Sequence, residues 1–171
     1  MVKLYKNFDI KKIHKRSIIL IGNFDGVHLG HQRLFKLAQT YKKKYNSKIG
    51  VVNFDPMPKM FFNQSIKNFR LSNISQKINL LNTMGVDFIV TKKFDKNFSK
   101  TKATNFIKKI LSQKLNAKYI FVSNNFRFGN KREGDVDSLI KNEKIYKYKV
   151  VKPKPLFVNK RLVSSSLIRS F

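Results

Sequence analysis

Four short apolar runs, Ile18–Ile21, Ile49–Phe54, Phe88–Thr91 and Tyr119–Ser123, alternate with longer stretches of helical periodicity, and that alternation restricts the fold more than any other feature. Each run is β-branched or aromatic-rich and bounded by polar residues, as a buried strand is. Between them, Leu34, Leu37, Ala38, Tyr41 and Tyr45 keep 3.6-residue spacing. So do Ile74, Ile78, Leu81 and Met84, with Asn73 as N-cap and Gly85 as stop. Ala103, Phe106, Ile107, Ile110, Leu111 and Leu115 form a third apolar stripe. These stripes are core. Strands alternating with helices predict an α/β fold, a Rossmann-like parallel sheet flanked by helices and joined by right-handed crossovers. Further on, a short helix is expected around Val136 to Ile140 and a lysine-studded strand over Tyr146 to Val151. Pro153 and Pro155 break regular pairing, and Leu156–Val158 with Arg161–Val163 predicts a small β-hairpin around Asn159-Lys160 near the C-terminus. Neither a repeat nor a flexible linker interrupts the pattern, so residues 1–171 are expected to be one domain.

At 171 residues and 42% hydrophobic the chain can bury a real core. The absence of cysteine excludes disulfides, thiolate nucleophiles and cysteine–zinc sites. With only three histidines, a histidine-rich metal site is not expected, and no protein metal ligand is assigned. No apolar run has the length of a membrane span, and Met1 to Ile10 lacks the apolar region of a signal peptide, which predicts a cytoplasmic protein without membrane contact. The formal charge of +28 comes from lysines scattered along the whole chain among abundant Asn, Ile and Phe. That mixture also arises from A/T-rich codon usage. The charge attracts anionic substrates and acidic polymers nonspecifically, and no specific nucleic-acid partner is expected.

The segment Ile21-Gly22-Asn23-Phe24-Asp25-Gly26-Val27-His28-Leu29-Gly30-His31-Gln32 brings two of the three histidines within four residues. It follows a predicted strand and leads into an amphipathic stretch, so it reads as strand, turn and helix N-terminus. Unpaired N–H groups and the positive end of the helix dipole suit bound phosphate there. Two imidazoles and a glycine beside them point to nucleotide chemistry.

This string resembles the His-x-Gly-His signature of nucleotidyltransferases. In its longer form, Gly-Asn-Phe-Asp-Gly-Val-His-Leu-Gly-His-Gln, it resembles the adenylyltransferase (FAD synthetase) module of bacterial bifunctional riboflavin kinase/FMN adenylyltransferases. Three further segments agree in order and spacing. Val51-Val52-Asn53-Phe54-Asp55-Pro56-Met57-Pro58 resembles the family's Phe-Asp-Pro-His-Pro. Ser123-Asn124-Asn125-Phe126-Arg127-Phe128-Gly129, with Gly134-Asp135 beyond it, is similar to its Asn/Asp-Phe-Arg-Phe-Gly loop. Val163-Ser164-Ser165-Ser166-Leu167-Ile168-Arg169 resembles its Ile-Ser-Ser-Thr-x-Ile-Arg. All four fall at predicted strand ends, where open α/β sheets bind ligands. There are departures: Met57 stands where the family has histidine, Ser166 where it has threonine, and Ser123 where glycine is common. The family usually continues into a riboflavin kinase barrel, whereas this chain stops at Phe171. The expectation is therefore an FMN adenylyltransferase domain over residues 1–171, with the kinase domain absent from this chain.

The resemblance implies transfer of AMP from ATP to FMN, giving FAD and pyrophosphate, with Mg2+ accompanying ATP. A phosphate monoester is ionised near neutral pH, so the reaction needs in-line positioning and charge cancellation rather than a general base. His28 and His31 suit the α- and β-phosphates of ATP, and Arg169 can clamp the leaving pyrophosphate with its fork of donors. Gly22, Asn23, Phe24, Gly30, Ser165 and Ser166 are the expected remaining ATP contacts. Asn125 and Arg127 are candidates for flavin or phosphate contact; Phe126 and Phe128 beside them suit either flavin contact or core packing. Asp25 and Asp55 could orient water near the metal or cap turns. His14 and Arg161 are expected to be ordinary surface residues. Three other readings stand beside this one: a nucleotidyltransferase for another phosphorylated acceptor, a basic nucleic-acid-binding module using the lysines with Phe and Tyr side chains, and an inactive fragment that retains the fold.

Overall fold

The computed structural model describes residues 1–24, 29–63, 74–152, 157–158 and 161–162. In chain order the strands are β1 (Lys3–Tyr5), β2 (Ile18–Ile21), β3 (Ile49–Asp55), β4 (Phe88–Lys93), β5 (Tyr119–Phe121), β6 (Arg127–Phe128), β7 (Gly134–Asp135), β8 (Lys149–Val151), β9 (Phe157–Val158) and β10 (Arg161–Leu162). Six of them make one parallel sheet in the order β1-β4-β3-β2-β5-β8. The other four form two antiparallel pairs, β6 with β7 and β9 with β10. The second pair is the hairpin expected around Asn159-Lys160.

Period-2 alternation explains why β2 is apolar at every position. Ile18 and Leu20 face a cluster with Phe35, Ala38 and Leu81, supplied by helices α1 (Leu29–Tyr45) and, beyond the short α2 (Pro58–Phe62), α3 (Ile74–Thr83). Ile19 and Ile21 face the opposite cluster, with Phe106, Ile107, Leu111 and Leu139. Helices therefore cover both faces, as expected. Gly50 of β3 is small because Phe88 of β4 lies across it: a Cβ there would sit 2.1 Å from the Phe88 ring.

Several elements differ from expectation. Edge strand β1 has no apolar run and is legible only through its pairing with β4. Two short helices, α2 and α4 (Lys96–Ser99), escape a periodicity count because neither is long enough to show one. Asp95 caps α4, its carboxylate accepting from the Phe98 N–H at 2.7 Å. The third apolar stripe runs from α5 (Ala103–Asn105) into a π-helical segment, Phe106–Lys114. Its wider turn keeps Phe106, Ile110 and Leu115 on the buried side. After α6 (Val136–Lys141), Glu143–Tyr146 is helix α7, so the strand expected from Tyr146 begins at Lys149. The left-handed Lys147 (φ 58°) ends that helix. Gly85 stops α3 as expected, at φ +81°; the proposed cap Asn73 lies outside the described residues.

His14 is a clear correction. It is buried, not on the surface, stacked 4.5 Å from Phe88 and hydrogen-bonded through Nδ1 to the Tyr5 hydroxyl at 2.7 Å. Burial, with Lys48 adding to it, holds its imidazole below the ordinary range.

Candidate active site

β2 lies between β3 and β5, so connections from it turn the sheet in opposite directions, and the β2–β5 boundary is the topological switch point. Open parallel sheets bind ligands in the crevice outside the carboxyl ends of strands at that boundary. Leu20 of β2 is level with Phe121 of β5. Gly22-Asn23-Phe24 and Ser123-Asn124-Asn125 therefore leave the sheet side by side.

On the β2 side the geometry is set by the core. The Gly22 N–H donates to the Val52 carbonyl at 3.1 Å, extending the β2–β3 ladder by one bond. Phe24 adopts φ 51°, a conformation side chains rarely take, and its ring is buried. It meets Phe35 at 5.2 Å and stands edge-on to His31 at 5.0 Å. What Phe24 can offer a nucleotide is thus its backbone, while its ring orients the His31 imidazole. His31 lies in the first turn of α1, half-buried, where the helix dipole favours an anion. The Asn23 Oδ1 atom is buried and has no hydrogen-bond partner among the described residues; Asn53 Oδ1, in β3, is in the same state. Leaving a buried acceptor unsatisfied costs about 1–3 kcal/mol, a cost that sites for ligands and ordered water commonly carry.

On the β5 side the candidates are exposed. Ser123 donates its hydroxyl to Asn125 Oδ1 at 2.9 Å, which leaves the Asn125 amide NH2 as a donor. Arg127 stands on the β6–β7 hairpin opposite Asp135, 3.6 Å from its carboxylate. Asp135 also caps α6, accepting from the Ser138 N–H at 2.9 Å, and that bond, more than Arg127, holds its carboxyl below the usual range. Phe128 is buried against Phe106 and stacks on Phe126, so both phenylalanines pack as core. Gly129 sits at φ +81° with the Ala103 backbone 2.8 Å from where a Cβ would lie, which accounts for glycine in that loop.

Gly22, Asn23, Phe24 and His31 are thus gathered at the end of β2, with Asn125 and Arg127 carried on the chain leaving β5. His28, Asp25, Ser165, Ser166 and Arg169 lie outside the described residues, and Gly30 is in the first turn of α1. Two features escaped the sequence. Asn53 stood out only as an amide inside the apolar run Val51-Val52-Asn53-Phe54. An aromatic cluster, Phe54, Phe61, Phe62 and Phe94, gathers at the carboxyl ends of β3 and β4, with Phe94 5.2 Å from Phe61 and 5.9 Å from Phe54. Met57, standing in for the family's histidine, is buried and packs as a hydrophobe.

The sequence model of the family described as FAD synthetase matches residues 10–167. The chain belongs to the FAD synthetase family. It is 38% identical over 161 residues to the bifunctional riboflavin kinase/FMN adenylyltransferase of Buchnera aphidicola subsp. Acyrthosiphon pisum, covering 94% of this chain and 51% of that protein. It is 34% identical to the protein of the same name from Escherichia coli K12, over 94% of this chain and 53% of that one. A FAD synthetase from Listeria monocytogenes is 31% identical, over 94% of this chain and 65% of that protein. The chain spans about half the length of the bifunctional relatives it matches. Two solved structures share the fold. A Streptococcus pneumoniae protein titled macrolide-efflux protein has a TM-score of 0.81 at 24% identity, covering 99% of this chain and 56% of that one. A Francisella tularensis pantoate-beta-alanine ligase has a TM-score of 0.63 at 14% identity, covering 99% and 73%. Among the described residues no helix is long and apolar enough to cross a membrane.

Proposed function

We propose that residues 1–171 act in the cytoplasm as an FMN adenylyltransferase, joining AMP from ATP to FMN. The FMN phosphate oxygen attacks the α-phosphorus of ATP, the bond to the bridging oxygen breaks, and pyrophosphate leaves. The observation that carries this reading is the β2 end of the switch-point crevice: a helix N-terminus bearing His31, and a buried Asn23 Oδ1 with no hydrogen-bond partner among the described residues, in a chain of the FAD synthetase family.

His31 and His28 bind and neutralise the α- and β-phosphates, with Gly22, Asn23, Phe24 and Gly30 supplying the further ATP contacts. A fixed donor of this kind contributes most where charge develops on the leaving oxygen. Ser165 and Ser166 donate hydroxyls, and Arg169 clamps the pyrophosphate. Asn125, through its amide NH2, and Arg127 hold the flavin nucleotide from the β5 side. Magnesium would be carried by the phosphates and water. The described residues include no group of three His, Asp or Glu side chains able to hold a metal, and the imidazole and amides of the crevice suit phosphate oxygens. When bound, the ion neutralises phosphate charge that these donors leave uncovered.

Incubating the chain with ATP, FMN and Mg2+ and separating the flavins by chromatography tests the reading. FAD and pyrophosphate should accumulate together. A much faster reaction with CTP, or with phosphopantetheine as acceptor, would keep the nucleotidyltransfer and overturn the substrate assignment.

A further inference from the structure

We propose that a cavity between β4, α4 and the π-helical segment is a second anion site, one that takes a compact ligand carrying contiguous phosphates. Its volume is about 630 Å3, within the roughly 300–1,000 Å3 of small-ligand pockets. It opens beside the edge strand β1 and its neighbour β4, and none of the candidate active-site residues lines it.

Charge is the argument. Lys92, Lys100, Lys102, Lys109 and Lys114 line the cavity, and the one carboxylate among the lining residues is Asp9. Asp9 is already taken by Lys114 at 2.8 Å. That bond holds the Asp9 carboxyl below its usual range, with Lys15 and Lys92 adding to it. Among the described residues, Lys92, Lys100, Lys102 and Lys109 form no ion pair. The carboxylates next along the chain are engaged by backbone: Asp95 by the Phe98 N–H, and Glu133 by the Ala103 N–H at 2.8 Å. Five lysines thus line one concavity with a single carboxylate among its lining residues, and an anion bound there relieves their mutual repulsion.

The walls favour a compact ligand over a nucleic-acid strand. Asn97 and Asn105 put amides beside the lysines, while buried Phe8 and half-buried Phe98, 6.2 Å apart, close the floor. An apolar floor strengthens the field of the lysines. These rings are packed inward, with Lys92 5.6 Å from the Phe98 centroid, so they are not the open stacking platforms single strands use.

The test compares the full chain with Lys100→Glu/Lys109→Glu and with a control, Lys43→Glu/Lys144→Glu. All four lysines are exposed, and both pairs change the net charge equally. Inorganic tripolyphosphate is titrated while the backbone amide signals of Thr101 and Asn105 are followed by NMR, with ATP in a parallel arm. These amides should shift in the wild type and the control, and the cavity variant should lose affinity by about tenfold or more. A response equal for both probes assigns recognition to the phosphates alone, and a stronger one to ATP adds the nucleoside. Equal losses in the two variants, or no shift at these amides, would reduce the cavity to general basicity. Tighter binding of single-stranded oligouridylate than of tripolyphosphate at the same amides would overturn the compact-ligand assignment. None of these readouts requires FAD synthesis, so the proposal stands or falls separately from the proposed function.

Discussion

The two banks of the switch-point crevice are built in opposite ways. On the β2 bank, His31 is wedged against the buried Phe24, which is itself locked against Phe35, so the imidazole inherits the rigidity of the core. On the β5 bank, Asn125 and Arg127 are exposed, the first tied by one hydroxyl and the second by one 3.6 Å ion pair between two-residue strands. Exposed ion pairs of that kind contribute about 0–1 kcal/mol. The difference suggests a division of labour. The bank proposed to hold the ATP phosphates during adenylyl transfer is over-determined by packing, while the bank proposed for the flavin nucleotide is free to adjust.

The hardest test of that contrast is Phe24→Ala. It removes a fully packed ring and should cost about 3–5 kcal/mol in urea or thermal unfolding. Phe24→Gly should be no worse, because glycine relieves the φ 51° strain that alanine keeps. A Gly variant clearly less stable than the Ala variant would show that the strain is not real. Next comes His31→Ala, for which FAD formation should fall by about 10²–10³-fold, with much less effect on unfolding than Phe24→Ala has. Unchanged turnover would remove the β2 bank from the chemistry.

On the β5 bank, Asp135→Ala removes both the α6 cap and the Arg127 partner. A small loss of stability is expected, as for other helix caps, and the KM for FMN should rise by only a few-fold. A loss rivalling that of His31→Ala would mean the two banks are equally constrained.

The smallest effect lies outside both banks, at His14. Because burial lowers its pKa, the unfolded chain takes up a proton before the folded one does as pH falls. Its contribution is therefore complete above about pH 6.5 and is lost as pH drops from there through the lowered folded value. Urea midpoints measured between pH 7.5 and 5 should decline for the wild type, and less steeply for His14→Gln. Parallel declines would exclude the histidine as the cause.

What the linear sequence determines here is whatever repeats at short range. The β2 to β5 strands, the helices on both faces and the C-terminal hairpin follow from local periodicity and turn residues, because each position is buried or exposed by its own element. The site motifs were legible for the same reason: Gly22 to His31 and Asn125 to Gly129 are contiguous, and a contiguous loop keeps its chemistry visible. The rest was decided by contacts between distant residues. His14 is buried because Phe88, far along the chain, stacks on it, and nothing around Lys12-Ile13-His14 signals that. β1 is a strand because β4 offers it an edge. The stripe from Ala103 to Leu115 showed which residues turn inward, but packing against the sheet chose the wider π turn. Asn53 became a site feature only when burial left its amide oxygen without a hydrogen-bond partner among the described residues, and burial is a property of the assembled sheet rather than of any segment.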